Sequence, residues 1–197
     1  MKEPADDAAQ LFAETFEEHI KMARLTRDTL HSQTLLMLAK WVECARGGGK
    51  ILFFGNGGSA SQAQHFACEL VVRIGPTRAA LPAIALTADS TIITAAGNDF
   101  GFESIFARQI EAIGSKGDLA LGLSTTGNSP NVAKALEVAR ARGLATAALL
   151  GADGGPAAKA CDLALLVPSR VTARVQEMHL VLGHMLCTGL ERAVAPV

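Results

Sequence analysis

Apolar positions over the first 46 residues recur at helical intervals. Leu11, Phe12, Phe16, Ile20 and Ala23, with His19 among them, form one series, and Leu30, Leu35, Leu36, Leu38, Ala39 and Val42 resume it after a weakly polar stretch. An unbroken run of some 40 residues is long for a globular protein, so the pattern predicts a helical pair within about residues 7–46, stopped by Gly47-Gly48-Gly49. From residue 50 the period changes. Short apolar runs at 51–54, 83–86, 119–123, 145–150 and 163–167 read as buried strands. Helical patterns lie between them at 59–74, 90–96, 102–113, 129–142 and 155–159, and a last helix spans about 173–193. Gly97-Asn98-Asp99-Phe100-Gly101 reads as the turn between two of these helices. Alternation of this kind predicts an α/β fold, a five-stranded parallel sheet covered on both faces. No linker, repeat or low-complexity tract divides the chain. The expectation is a single domain over 1–197, with 1–48 as a helical arm and 49–197 as an α/β core ending in the C-terminal helix.

Composition narrows the function classes. Hydrophobic residues make up 49% and charged residues 19% of the 197 positions, as in an ordered globular protein with a sizeable core. A net charge of −1 and an aromatic content of 5% with no tyrosine argue against nucleic acid as a partner. No apolar run approaches the roughly 20 residues of a membrane span. The acidic start, Met1-Lys2-Glu3-Pro4-Ala5-Asp6-Asp7, lacks the apolar core of a signal peptide. Cys44, Cys68, Cys161 and Cys187 are scattered without a CxxC pair, which fits a reduced, cytoplasmic protein.

Candidate chemistry gathers where strands hand over to helices. Gly55-Asn56-Gly57-Gly58-Ser59-Ala60-Ser61 follows the first strand and opens a helix. Free backbone N–H groups and the positive end of the helix dipole then point above the turn, a setting suited to phosphate. Ser124-Thr125-Thr126-Gly127-Asn128-Ser129-Pro130 repeats this logic after the third strand, with proline where a helix start tolerates it. Neither loop is a G-x-x-x-x-G-K-[ST] nucleotide loop. In an open parallel sheet, ligands bind beyond the carboxyl ends of the strands, where both loops lie. His65 and Glu69 stand one helical turn apart on one face, as a metal or acid–base pair would. The bland alternative is a solvated i,i+4 pair contributing a few tenths of a kcal/mol. In the last helix, Gln176 and Glu177 are both angularly close to His184, and helical geometry does not choose between them. His19 and His31 have no polar cluster near them in sequence and read as ordinary.

Five motifs occur in order: Gly55-Asn56-Gly57-Gly58-Ser59, His65-Phe66-Ala67-x-Glu69-Leu70, Gly97-Asn98-Asp99-Phe100-Gly101, Ser124-Thr125-Thr126-Gly127-Asn128-Ser129, and Gln176-Glu177-x-His179 with His184. Together they resemble the phosphoheptose isomerases of the sugar isomerase domain superfamily, over about residues 10–192. The resemblance implies a flavodoxin-like three-layer sandwich, assembled as a homotetramer with sites between subunits. It implies an aldose–ketose isomerase acting on a small sugar phosphate: D-sedoheptulose 7-phosphate becomes D-glycero-D-manno-heptose 7-phosphate through an enediol. That reaction is the first step of bacterial ADP-heptose and surface polysaccharide biosynthesis, including lipopolysaccharide. It further implies one zinc ion per subunit, held by His65, Glu69, Gln176 and His184, with Glu69 and His184 as the catalytic pair. Asn56, Gly57, Gly58, Ser59, Asn98 and Asp99, with Glu69 and Gln176, are implied on the sugar. Ser124, Thr125, Thr126 and Ser129 are implied on the phosphate. The third residue of that loop is threonine where serine is usual, which keeps the hydroxyl.

Two other classes share the fold. A non-enzymatic relative binds the bacterial replication initiator protein and carries the glycine loop and the Gln-Glu-Met-His run, but looks to lack counterparts of Glu69 and His184. This chain has both. Sugar-phosphate-sensing domains of transcription regulators accompany a DNA-binding segment, and residues 1–46 show no basic character.

Overall fold

The computed structural model describes residues 4–194. The first three residues of the acidic start, and residues 195–197 at the end of the expected domain, lie outside the described residues. The chain opens with α1 (Pro4–Arg46) and continues through β1 (Ile51–Gly55), α2 (Gly58–Val71), β2 (Ala83–Ala85) and α3 (Ser90–Phe100). A 3-10 turn (Phe102–Ser104) leads to α4 (Ala107–Ile113), β3 (Leu119–Ser124), α5 (Pro130–Ala141) and β4 (Ala145–Gly151). It ends with α6 (Gly155–Ala160), β5 (Leu163–Val167) and α7 (Thr172–Val194). All strand pairs are parallel, in the order β2-β1-β3-β4-β5. This is the flavodoxin-like order, and it reverses between β1 and β3.

The alternation of side chains along each strand builds two cores. Phe53, Leu121, Leu149 and Leu165 point to the face covered by α1, α2 and α7, where Trp41, Phe66, Met178 and Leu186 meet them. Leu52, Phe54, Ala120 and Leu150 point the other way, onto Ala96, Ile110, Leu136 and Ala157 of α3 to α6. Both faces are therefore buried, which is why these strands read as continuous apolar runs rather than as alternating ones.

Two expectations are corrected. The N-terminal helical pair is one helix of 43 residues. The polar stretch near its middle does not break it; Thr29 and Thr34 satisfy their hydroxyls within the helix, on the carbonyls of Leu25 and Leu30 at 2.7 and 2.8 Å. Thr26, Leu30, Thr34, Met37, Trp41 and Cys44 then form one buried stripe at steps of three and four residues. The second correction concerns Gly97 to Phe100, expected as a turn. They continue α3, and the chain turns at Gly101, whose φ is +82°. Asp89 starts this helix strongly by accepting from the N–H groups of Thr91 and Ile92. A glycine inside a helix costs only about 1 kcal/mol, so Gly97 does not end it.

Candidate active site

The carboxyl ends of β1 and β3, neighbours in the sheet, put the glycine loop and the hydroxyl loop side by side at the point where strand order reverses. A reciprocal pair of side-chain amides joins them. Asn56 Nδ2 donates to Asn131 Oδ1 at 2.9 Å, and Asn131 Nδ2 donates to Asn56 Oδ1 at 2.8 Å. Asn131 is buried in the first turn of α5. Nothing in its sequence position singled it out, because its partner lies 75 residues away.

Within the second loop the hydroxyls organise the backbone. Ser124 Oγ accepts from the Gly127 N–H at 3.0 Å and sits 3.1 Å from Ser129 Oγ, while Thr126 Oγ1 accepts from the Asn128 N–H. Gly127 has a positive φ and lies so close to Gly154 that no Cβ fits. Neither α2 nor α5 is capped by a side chain at its start; the N–H groups of Ser59, Ala60 and Val132 donate instead to the carbonyls of Asn56, Gly57 and Ser129, and the positive end of each helix dipole lies at its loop. Thr125 follows the end of β3, next to Ser124.

The His/Glu pair of α2 is completed by α7. Phe66 seats its ring against Gly183, which brings the neighbouring residues His65 and His184 together. Their Nε2 atoms are 2.7 Å apart. His65 Nε2 is also 3.5 Å from Glu69 Oε1. The ligand atoms of His65, Glu69 and His184 all lie within 4.8 Å of one another, a set of two imidazoles and one carboxylate that can hold a metal ion.

Gln176 and Glu177, equivalent on helical geometry alone, face opposite ways. The Gln176 side-chain amide lies against Gly58, where an added Cβ would strike it, and the Gln176 main-chain carbonyl accepts from Gln62 Nε2 at 2.7 Å. Glu177 turns towards α1, bound to His19 Nδ1 at 2.7 Å and to Arg174 Nη2 at 2.6 Å. His19 is thus not the isolated residue its surroundings in sequence suggested. It ties the first half of α1 to α7. His179 points into the protein, fully buried, and burial pushes its imidazole down to about 4. Asn98 and Asp99 stand apart from the cluster. They are exposed on α3, Asn98 donates to Asp99 at 2.8 Å, and among the described residues neither bonds to the His65–Glu69–His184 group.

The family model described as the SIS domain matches residues 12–151. A phosphoheptose isomerase of Paramagnetospirillum magneticum is 50% identical over 179 residues, which cover 91% of this chain and 93% of that protein. The chain belongs to the phosphoheptose isomerase family. Solved structures of the family agree with the fold described above. The phosphoheptose isomerase of Neisseria gonorrhoeae superposes with a TM-score of 0.89 at 39% identity, covering 94% of this chain and 99% of the other. That of Francisella tularensis gives 0.91 at 36%, covering 94% and 98%. Phosphoheptose isomerases are sugar isomerases, and this chain is an enzyme of that kind.

Proposed function

We propose that the chain interconverts D-sedoheptulose 7-phosphate and D-glycero-D-manno-heptose 7-phosphate through an enediol, opening the route to ADP-heptose and bacterial surface polysaccharide. The supporting observation is the His65–Glu69–His184 cluster, formed between α7 and α2, the helix that the glycine loop begins. The 7-phosphate sits on Ser124, Thr125, Thr126 and Ser129 and the uncapped start of α5, where the helix dipole favours an anion. Asn56, Gly57, Gly58, Ser59 and Gln176 line the sugar, with Asn98 and Asp99 of α3 as further sugar contacts.

The reaction moves a carbonyl from C2 to C1. Glu69 takes a proton from C1 as the enediol forms and, after exchange with solvent, delivers one to C2 as the aldose forms. His184 moves the hydroxyl proton from O1 to O2, so no atom is gained or lost overall. A carboxylate and an imidazole are suited to these steps at neutral pH. A zinc ion held by His65, Glu69 and His184, with Gln176 as a weaker fourth ligand, would supply positive charge against the negative charge that develops on the oxygens.

The assembly we propose is a homotetramer in the cytoplasm, each subunit a single SIS unit whose residues 1–48 form its helical arm. Exposed apolar residues on α1, among them Phe12 at 68% and Phe16 at 53%, support burial of that helix in an assembly. Among the described residues no helix is long and apolar enough to cross a membrane.

The test is NMR of sedoheptulose 7-phosphate in D₂O with the wild type and with Glu69→Gln. A heptose 7-phosphate signal carrying deuterium at C2, from the wild type only, supports the reading. Absence of turnover by folded wild type, with and without zinc, overturns it and favours a partner-binding role. Light scattering reads the assembly.

A further inference from the structure

Behind the cluster, the guanidinium of Arg78 is buried where the end of α2, the loop after it and α7 meet. Its side chain is 7% exposed, and that of its ion-pair partner Glu191 is 8%. Nε donates to Glu191 Oε1 at 2.8 Å, and Nη2 lies 2.7 Å from the same oxygen. Nη2 also donates to the carbonyl of Glu69 at 2.9 Å, and Nη1 to those of Leu70 and Ala79 at 2.8 and 2.9 Å. The Glu191 carboxylate accepts in addition from the N–H groups of Ile74 and Gly75 at 2.9 and 3.1 Å.

The carbonyls of Glu69 and Leu70 belong to the last turn of α2, where backbone oxygens have no partner further along the helix. Arg78 supplies that partner for Glu69, shares the Leu70 carbonyl with the Leu81 N–H, and fixes both to α7, two turns beyond His184. The two helices are then pinned on both sides of the cluster, at Phe66 against Gly183 and at Arg78 against Glu191. The second pin acts on the backbone of Glu69 itself. A planar, permanently charged fork can reach two carbonyls and a carboxylate together; an ammonium cannot reproduce that geometry.

We propose that Arg78 is a positioning residue: anchored on Glu191, it sets the Glu69 carboxylate against His65 and His184. Only the catalytic consequence rests on the isomerase reading; the geometric part stands on the cluster alone.

The experiment compares Arg78→Lys and Arg78→Gly with the wild type, using the full chain. Each is assayed for kcat and KM on sedoheptulose 7-phosphate, for Co²⁺ affinity by competition with a chromophoric chelator, and for the visible spectrum of bound Co²⁺. Arg78→Lys, which keeps a charge for Glu191, guards against a variant that fails to fold. The expected result is a fall of about 10–100-fold in kcat and in Co²⁺ affinity, with KM within about twofold and an altered Co²⁺ spectrum. Added ethylguanidine restores kcat to Arg78→Gly. If the variants lose melting temperature but keep the wild-type kcat, Co²⁺ affinity and spectrum, Arg78 is a stabilising residue only and the proposal is overturned. A wild type that binds Co²⁺ without turning over the sugar sinks the isomerase reading alone, and the Co²⁺ arm still decides the role of Arg78.

Discussion

The outer end of the Phe66 ring occupies the place a Cβ on Gly183 would take, leaving no room for a side chain there. His65 precedes the one and His184 follows the other, so this packing contact sets the 2.7 Å separation of the two imidazoles. Gly183→Ala must push α2 and α7 apart. The expected cost in stability is about 1–3 kcal/mol. The larger effect falls on the site, where a displacement of this kind lowers kcat about 100-fold. Steady-state kinetics beside a urea melt checks it. A variant that loses stability and keeps full activity would show that the pairing does not depend on this contact.

Gly58 and Gly127 separate a functional cost from a structural one. At Gly127 an alanine meets the backbone of Gly154 at a positive φ, and neither can yield, so Gly127→Ala is expected to destabilise by about 3 kcal/mol. At Gly58 the obstacle is the far end of the Gln176 side chain, which can swing away. Gly58→Ala should cost less than about 1 kcal/mol of stability but, by displacing the amide, lower kcat/KM by at least about tenfold. Melting curves and kinetics on the two variants check the contrast.

His179 gives the fold a pH dependence. Among the described residues neither ring nitrogen has a hydrogen-bond partner, and burial holds the group at about 4, an effect the nearby Leu150 backbone opposes without reaching hydrogen-bonding geometry. An unfolded imidazole titrates near 6.5, so between about pH 4 and 6.5 the unfolded chain binds the extra proton. The contribution of His179 to stability is complete above about pH 6.5 and is lost as the pH falls towards 4. Across that window the loss is about 3 kcal/mol. Urea melts from pH 7 to pH 4 should show a shallower slope for His179→Leu than for the wild type.

Thiol reactivity should divide unevenly. Burial raises Cys44 and Cys161 to about 11, and burial together with Glu69 and Glu191 raises Cys187 to about 12. Cys68 is exposed on α2. A disulfide reagent at pH 8 should label one thiol rapidly in the native protein and all four after denaturation. Rapid labelling of two or more native thiols would contradict the buried positions.

The strands, their parallel pairing and both loops were legible in the amino-acid order, because a strand buried on two faces leaves a short apolar run and a glycine-rich stop. So was the pairing of His65 with Glu69, since a helix places i and i+4 on one face. Both corrections came from local competition that periodicity does not register: threonine hydroxyls satisfied inside α1, and the Asp89 cap that carried α3 through Gly97.

What the sequence by itself determined, then, are the contacts of regular period within one helix and the turns that a glycine-rich stop marks; the local hydroxyl and cap bonds of Thr29, Thr34 and Asp89 have no such period. Tertiary structure alone decided the contacts between distant segments. It chose Gln176 over Glu177 at the glycine loop, because Arg174 and His19 hold Glu177 towards α1. It paired Asn56 with Asn131, His65 with His184 and Arg78 with Glu191, over separations of 75, 119 and 113 residues. Such partners share no period and no local signal. They meet only because the order β2-β1-β3 sets two loops side by side, and because α2 and α7 pack on the same face of the sheet.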